Sequence, residues 1–403
     1  MVFIFVSNAV TDRMVFDLKG NVMGRPALND RSRQIRRQMR TKAVDFLLLV
    51  RPSHVSYATG FMGQDSWAAV TGQHLYLLTD SRYTEQAQKE CPTCQLVERT
   101  GTLAQAAVHL ADRSKARTVA VDRSISLGDW DSVKKHLKAR VRTMPDPLAS
   151  IRAIKEPVEI DWIRKAGRIA QTALAQTLST LRPGITENAL AGLLDYQFRR
   201  LGATPAFETI VAFGPNASRP HHRPTSRRLR SSDTVLIDFG ARCHGYCSDI
   251  TRCFAVGEPG HLFRKAFDVV SRAQAAAIKA ARPGAAFTEV DAAARGVIRE
   301  SGLPVYGHGT GHGLGLDIHE NPFLKPDAQG VLEAGHLLTI EPAVYLPGKL
   351  GVRLEDDILV TPHGCRIITR NGPHSFGLAN EIGLTSDPYS LGDGAPGPWP
   401  SPN

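Results

Sequence analysis

The sequence predicts an α/β domain followed by an α+β domain built from two related halves. Three observations carry that prediction. Apolar runs of strand length alternate with helical patterns from Asp30 to about Pro147. Leu181-Arg-Pro-Gly184 recurs as Ala281-Arg-Pro-Gly284, each after a long amphipathic helix. Each half then carries an apolar strand closing on a carboxylate, Asp238 in one and Glu341 in the other.

Residues 1–29 read as a loose leader. Its first six residues are apolar but lack a basic start and soon meet Asp12 and Arg13, so a signal peptide is not expected, and Met14 and Met23 are alternative starts. The first domain is placed at 30–150. Arg31 to Lys42 reads as a basic helix, and Phe46-Leu-Leu-Leu-Val50 as a buried strand. His74–Thr79 and Thr118–Val121 are further strands, with helices over Thr84–Glu90 and Trp130–Leu137. Pro145 and Pro147 punctuate the end of this unit.

The second domain is placed at 155–375. Glu159 to Leu181 keeps apolar residues on one helical face, opened by Pro157 and stopped by Pro183-Gly184. Leu262 to Ala281 is its counterpart. A second helix follows each, starting at Thr186-Glu187 and at Thr288-Glu289. Next come the strands Thr234–Asp238 and Leu337–Glu341, then a second strand in each half bearing Asp249 or Glu355. A period near 100 residues is too long for a solenoid and points to a duplicated helix-helix-hairpin unit. The segment 376–403 is rich in Pro and Gly at its end and reads as a flexible tail.

Composition narrows the function classes. No apolar run approaches the ~18 residues that span a bilayer, so no membrane insertion is expected. The 49 basic and 39 acidic residues leave a net charge of +10, but arginine is spread along the chain apart from the patch Arg219–Arg230, and no nucleic-acid motif accompanies it. Six cysteines, including an isolated Cys91-Pro-Thr-Cys94, make neither a disulfide scaffold nor a zinc knuckle. A cytoplasmic setting is expected.

The chemistry lies in the repeat. A buried carboxylate without a partner is costly, so two acids on apolar strands in each half call for compensation. Taken singly, Asp238 or Glu341 is a turn or cap residue, Asp249 an edge residue, His312 a core histidine and His221 loop surface. Four acids placed alike in two halves, with His308 and His312 in a glycine-rich run, point instead to a pair of divalent cations bridged by shared carboxylates. Four carboxylates and one imidazole make a hard donor set, which favours Mn²⁺ while leaving Co²⁺ and Zn²⁺ open.

At these residues the chain resembles the pita-bread metallopeptidases: methionine aminopeptidase, Xaa-Pro aminopeptidase and Xaa-Pro dipeptidase. The matching strings are Val235-Leu-Ile-Asp-Phe-Gly240, Gly245-Tyr-Cys-Ser-Asp-Ile-Thr-Arg252, Gly307-His-Gly-Thr-Gly-His-Gly-Leu-Gly315, Ile318-His-Glu320, Thr339-Ile-Glu-Pro342 and Gly351-Val-Arg-Leu-Glu-Asp-Asp357. The similarity covers roughly 155–372. Val55-Ser-Tyr-Ala-Thr-Gly-Phe61 and Leu78-Thr-Asp-Ser-Arg-Tyr83 resemble a creatinase-type N-terminal domain, which steers the reading to the proline-specific members. Ala343 departs from the glycine usual after the Glu-Pro pair.

The resemblance implies Asp238, Asp249, His312, Glu341 and Glu355 as ligands of two ions, with Asp249 and Glu355 bridging. It implies that a metal-bridged hydroxide attacks the Xaa-Pro bond, while Glu341 shuttles a proton to the leaving nitrogen. His221 and His319 match the family's non-ligand histidines, and Arg353 an arginine near the site. The expected activity is an Xaa-Pro aminopeptidase acting on peptides with proline second; a dipeptidase, or a small-molecule hydrolase or lyase of the same fold, is the alternative. A homodimer is expected, with no nucleic-acid partner.

Overall fold

The computed structural model describes residues 14–16 and 22–369. The start of the leader and the expected tail at 376–403 lie outside the described residues. Strands β1 (Met14–Phe16) and β2 (Val22–Gly24) pair antiparallel and lead into helix α1 (Arg25–Thr41). The helix thus begins six residues before Arg31, where the basic pattern places it.

The first domain is a six-stranded mixed sheet flanked by helices. After β3 (Phe46–Leu49) come α2 (Pro52–Thr59), β4 (Trp67–Thr71), β5 (Leu75–Thr79), α3 (Thr84–Glu90), β6 (Gln95–Glu98), α4 (Leu103–Arg113), β7 (Thr118–Asp122), α5 (Leu127–His136) and β8 (Arg140–Met144). The strand order is β6-β5-β4-β3-β7-β8, with β4 antiparallel to both neighbours and the other pairs parallel. The apolar runs supply three of the four inner strands, β3, β5 and β7; the fourth, β4, is not among the predicted strands. The edge strands β6 and β8 escape sequence reading because their residues are mostly polar and only partly buried, as edges commonly are. Helix α4 is also unpredicted, although Thr102 and Gln105 form a capping box at its start.

A short helix α6 (Ala149–Ala153) joins the domains. The first half of the second domain holds α7 (Pro157–Leu178), α8 (Glu187–Arg200), β9 (Thr204–Pro205), β10 (Ile210–Phe213), β11 (Thr234–Phe239), β12 (Ala241–Cys243), β13 (Tyr246–Cys247) and β14 (Ile250–Ala255). The second half holds α9 (His261–Ala280), α10 (Phe287–Glu300), β15 (Gly311–Gly313), β16 (Glu320–Leu324), β17 (Leu337–Ile340), β18 (Ala343–Leu346), β19 (Leu350–Arg353), β20 (Asp356–Thr361) and β21 (Gly364–Ile367). Sheets β10-β11-β14 and β16-β15-β17-β20-β21 are antiparallel, and β15, β17 and β20 repeat β10, β11 and β14.

The repeat extends to individual hydrogen bonds. The Arg-Pro-Gly glycines both adopt positive φ, Gly184 at 96° and Gly284 at 82°. Gly184 N–H donates to Leu229 O and Gly284 N–H to Leu332 O, each at 2.8 Å; Leu229 and Leu332 return bonds to Ile185 and Ala285, also at 2.8 Å. Each helix pair packs its apolar stripe on its own sheet. A bridge between Thr251 and Glu355 joins the two halves where β14 meets the start of β20. Among the described residues, no helix is long and apolar enough to cross a membrane.

Candidate metal centre

The five residues expected as ligands arrive from both halves. Asp238 lies in β11 and Glu341 immediately follows β17, at equivalent places in the repeat. Asp249 and Glu355 are not within regular strands, as the alternation suggests, but in the breaks between β13 and β14 and between β19 and β20. That is where each chain leaves a short hairpin for the main sheet, so both acids turn into the seam between the halves. His312 is central in β15, within the glycine-rich run. A Cβ on Gly311 would lie 1.9 Å from Thr339 O of the adjoining strand, so glycine is needed for this approach.

The side chains converge. Candidate metal-ligating atoms lie within 4.8 Å of one another in three sets: Asp238, Asp249 and Glu355; His312, Glu341 and Glu355; and Asp249, His312 and His319. Asp249, His312 and Glu355 each belong to two sets. The sets line a cavity of about 520 Å³ whose wall also carries His221, His308 and Arg353. His221 and His319 are exposed on it, whereas Asp249, His312, Arg353 and Glu355 are buried.

Their electrostatics demand a cation. Burial, and then repulsion from Glu355 and Asp238, raises the Asp249 carboxyl well above the usual range. Glu355 is raised by burial and then by Glu341 and Asp238. Burial pushes Glu341 up to about 8, opposed chiefly by Arg353. Burial also raises Asp238, again against the pull of Arg353. His312 Nδ1 sits 3.0 Å from Gly313 O, a bond that makes Nδ1 the donor. Its Nε2 lone pair then faces Glu341 Oε1 at 3.5 Å and Asp249 Oδ2 at 3.7 Å. Burial holds His312 down to about 3, so a proton does not resolve this contact near neutral pH. Asp238 Oδ1 is buried with no hydrogen-bond partner. These groups can hold divalent metal: acceptors face acceptors, and the donor set is oxygen-rich.

Arg353 supplies the fixed positive charge. It donates to Asp238 Oδ2 and to Tyr345 OH, both at 2.6 Å, and through Nε to Thr251 Oγ1 at 3.1 Å. Thr251 Oγ1 in turn donates to Glu355 Oε2 at 2.6 Å. Thr251 lies in one of the quoted strings, but Tyr345 carries no sequence signal because it reaches the site only through the β18–β19 hairpin. His308 Nε2 is 3.2 Å from Tyr345 OH, and its Nδ1 is 3.7 Å from Glu341. Two arginines of the basic stretch 219–230 have structural partners. Arg227 pairs with Asp233 at 2.7 Å, and Arg228 donates to Gly184 O.

The model for metallopeptidase family M24 matches residues 161–362, and that for the creatinase/prolidase N-terminal domain matches 31–154. The chain belongs to metallopeptidase family M24. This M24 peptidase is 36% identical over 332 residues to an uncharacterized peptidase, YqhT, of Bacillus subtilis strain 168, spanning 81% of this chain and 94% of that one. The solved Xaa-Pro dipeptidase from Bacillus anthracis aligns with a TM-score of 0.84 at 31% identity, covering 87% of this chain and 99% of that one. An X-Pro aminopeptidase from Thermotoga maritima MSB8 gives 0.78 at 32% identity, covering 85% and 99%. The architecture is therefore a creatinase-type N-terminal domain followed by a pita-bread catalytic domain.

Two expected results follow from the centre. Gly311→Ala is expected to destabilise the M24 peptidase by about 1–3 kcal/mol, because the new methyl meets backbone rather than a movable side chain; urea unfolding measures it. Without metal, stability is expected to fall as pH rises from 6.5 to about 8. Over that span the folded Glu341 carboxyl holds a proton that the unfolded chain, near 4.5, has lost. The folded state binds more protons, so the slope is negative. His312, held at about 3 against an ordinary 6.5, acts in the opposite sense only below this window. Thermal melts at stepped pH, with and without Mn²⁺, test this; a slope unchanged by the ion contradicts it.

Proposed function

We propose that this M24 peptidase is a metal-dependent exopeptidase releasing the first residue of peptides whose second residue is proline. The convergence of Asp238, Asp249, His312, Glu341 and Glu355 in one cavity carries the reading. The likeness to a solved dipeptidase and a solved aminopeptidase, both named for Xaa-Pro substrates, supports the proline specificity.

In this reading the five residues would hold two divalent ions, Asp249 and Glu355 would serve both, and Mn²⁺ is the favoured metal. Such ions lower the pKa of a water into the neutral range and polarise the scissile carbonyl. The chain's residues do the rest. Arg353 fixes Asp238 and offsets the negative charge of the cluster. Glu341, its proton affinity raised by burial, passes a proton toward the leaving proline nitrogen. His221 and His319, on the exposed wall, donate to the oxygen that becomes negative in the tetrahedral state. His319→Ala is expected to lower kcat by about 10²–10³-fold, with metal content unchanged. Steady-state kinetics alongside metal analysis checks both.

A dipeptidase is the second reading. Arg223 and Lys325 stand on the cavity wall, 84% and 49% exposed, and suit the carboxylate of a short substrate. Product analysis with Mn²⁺-loaded protein on Xaa-Pro and Xaa-Pro-Xaa separates the two. Release of the first residue from neither peptide rejects both.

A further inference from the structure

His319 and Glu320 are neighbours with opposite surroundings. His319 is the last residue before β16 and faces the cavity; Glu320 opens the strand and is 8% exposed. His319 is joined to Glu320 through one rigid peptide unit at the mouth of the strand, so whatever fixes Glu320 also restrains the backbone from which His319 projects.

Glu320 is fixed by the segment that joins the two domains. Lys155 Nζ lies 2.8 Å from its Oε1, and Arg152 donates to its Oε2. Both cations are buried. The Asp317 N–H also reaches Oε2, at 3.4 Å, so the same carboxylate draws in the turn ahead of His319. Gly315 leaves room for it: a Cβ there would come within 2.8 Å of Oε1. On the other flank, Asp317 Oδ2 accepts from Ser53 Oγ of the first domain at 2.7 Å and lies 3.1 Å from Arg152 Nη1. Arg152 closes the ring by donating to Ser53 Oγ at 3.1 Å. Arg152, Lys155, Asp317 and Glu320 do not line the cavity.

A buried charge cluster is a poor choice for stability alone, because desolvation offsets most of the attraction. Its directional bonds do something an apolar plug does not: they set the position of the 317–320 backbone. We propose that Glu320, gripped by Arg152 and Lys155, is a positioning residue for His319, so that the first domain and its linker set the geometry of the catalytic histidine. This rests on the role given to His319 above.

The test compares Mn²⁺-loaded wild type, Glu320→Gln, His319→Ala and the double variant on an Xaa-Pro-Xaa tripeptide. Glu320→Gln is expected to lose about 100-fold in kcat, the penalty of a misplacement near 1 Å, with KM and metal content close to wild type. The double variant is expected to be no slower than His319→Ala alone, since both changes remove one contribution. Hydrogen exchange over 314–320 is expected to quicken in Glu320→Gln. Wild-type kcat in folded, metal-loaded Glu320→Gln overturns the proposal, as does a loss that multiplies with that of His319→Ala. If Glu320→Gln does not fold, the same cycle with Asp317→Asn decides by the same criterion. If wild type cleaves no proline peptide, the functional reading fails separately; exchange then decides positioning, and unchanged protection over 314–320 overturns it.

Discussion

Asp249→Ala is expected to abolish metal retention and peptide cleavage together. Asp249 belongs to two of the three candidate ligand sets, and its Oδ2 faces the His312 Nε2 lone pair. In the proposed assignment Asp249 would serve both ion positions, whereas Asp238 and His312 would each serve one. The effect on stability runs the other way. In the metal-free protein Asp249 is repelled by Glu355, Asp238, Asp357 and Glu341, and it is buried. Taking out one of these like charges relieves the others, so the metal-free variant is expected to melt higher than the metal-free wild type near neutral pH. Added Mn²⁺ then raises the wild-type Tm and leaves the variant unmoved. Metal analysis after gel filtration and calorimetry with and without the ion give both answers. A variant that still holds the full metal complement sinks the shared-ligand assignment.

Arg31→Ala is expected to cost about 3–5 kcal/mol of folding stability. The side chain is 2% exposed and lies where α1 meets the start of α7. Its guanidinium reaches Glu156 at 2.9 Å and Glu159 at 3.6 Å. It also stands 4.3 Å above the Tyr57 ring. Tyr246 OH, 3.4 Å from Arg31 Nη2, donates to Glu159 at 3.0 Å. Alanine leaves two carboxylates facing each other with little water, and 2% exposure of Glu159 means solvent cannot replace the lost partner. Arg31→Lys is expected to recover only part of the loss, since one ammonium cannot serve both glutamates and stack on the tyrosine. Urea denaturation of the metal-loaded proteins measures the difference. A cost below about 1 kcal/mol, as for an exposed pair, contradicts the buried network.

Arg31 also marks where sequence reading stops. Its helix reads as evenly basic, and nothing local separates Arg31 from Arg33, which is largely exposed. The distinction comes from partners 26 to 215 residues away. Asp249 and Glu355 are a milder case. Their repeat-related spacing identifies them as a pair, but the strand pattern misplaces both by running through breaks that only the packing of two hairpins on two sheets creates. His308 and His312 are legible as histidines set among glycines, because close backbone approach demands glycine wherever it occurs. Arg152, Lys155 and Asp317 are not legible: a lysine next to a glutamate in a linker looks like any solvated pair.

By itself the sequence determined the two-domain order, the duplicated helix-helix-hairpin unit, three of the four inner strands of the first sheet and the five metal-binding candidates. Each of these is written in local periodicity or in a motif whose spacing the backbone imposes. Only the tertiary structure decided which charges lose their water, which carboxylates face one another, and that the first domain grips the loop bearing His319. Burial and ion pairing depend on what arrives from a distant part of the chain, and no local window of residues contains that information.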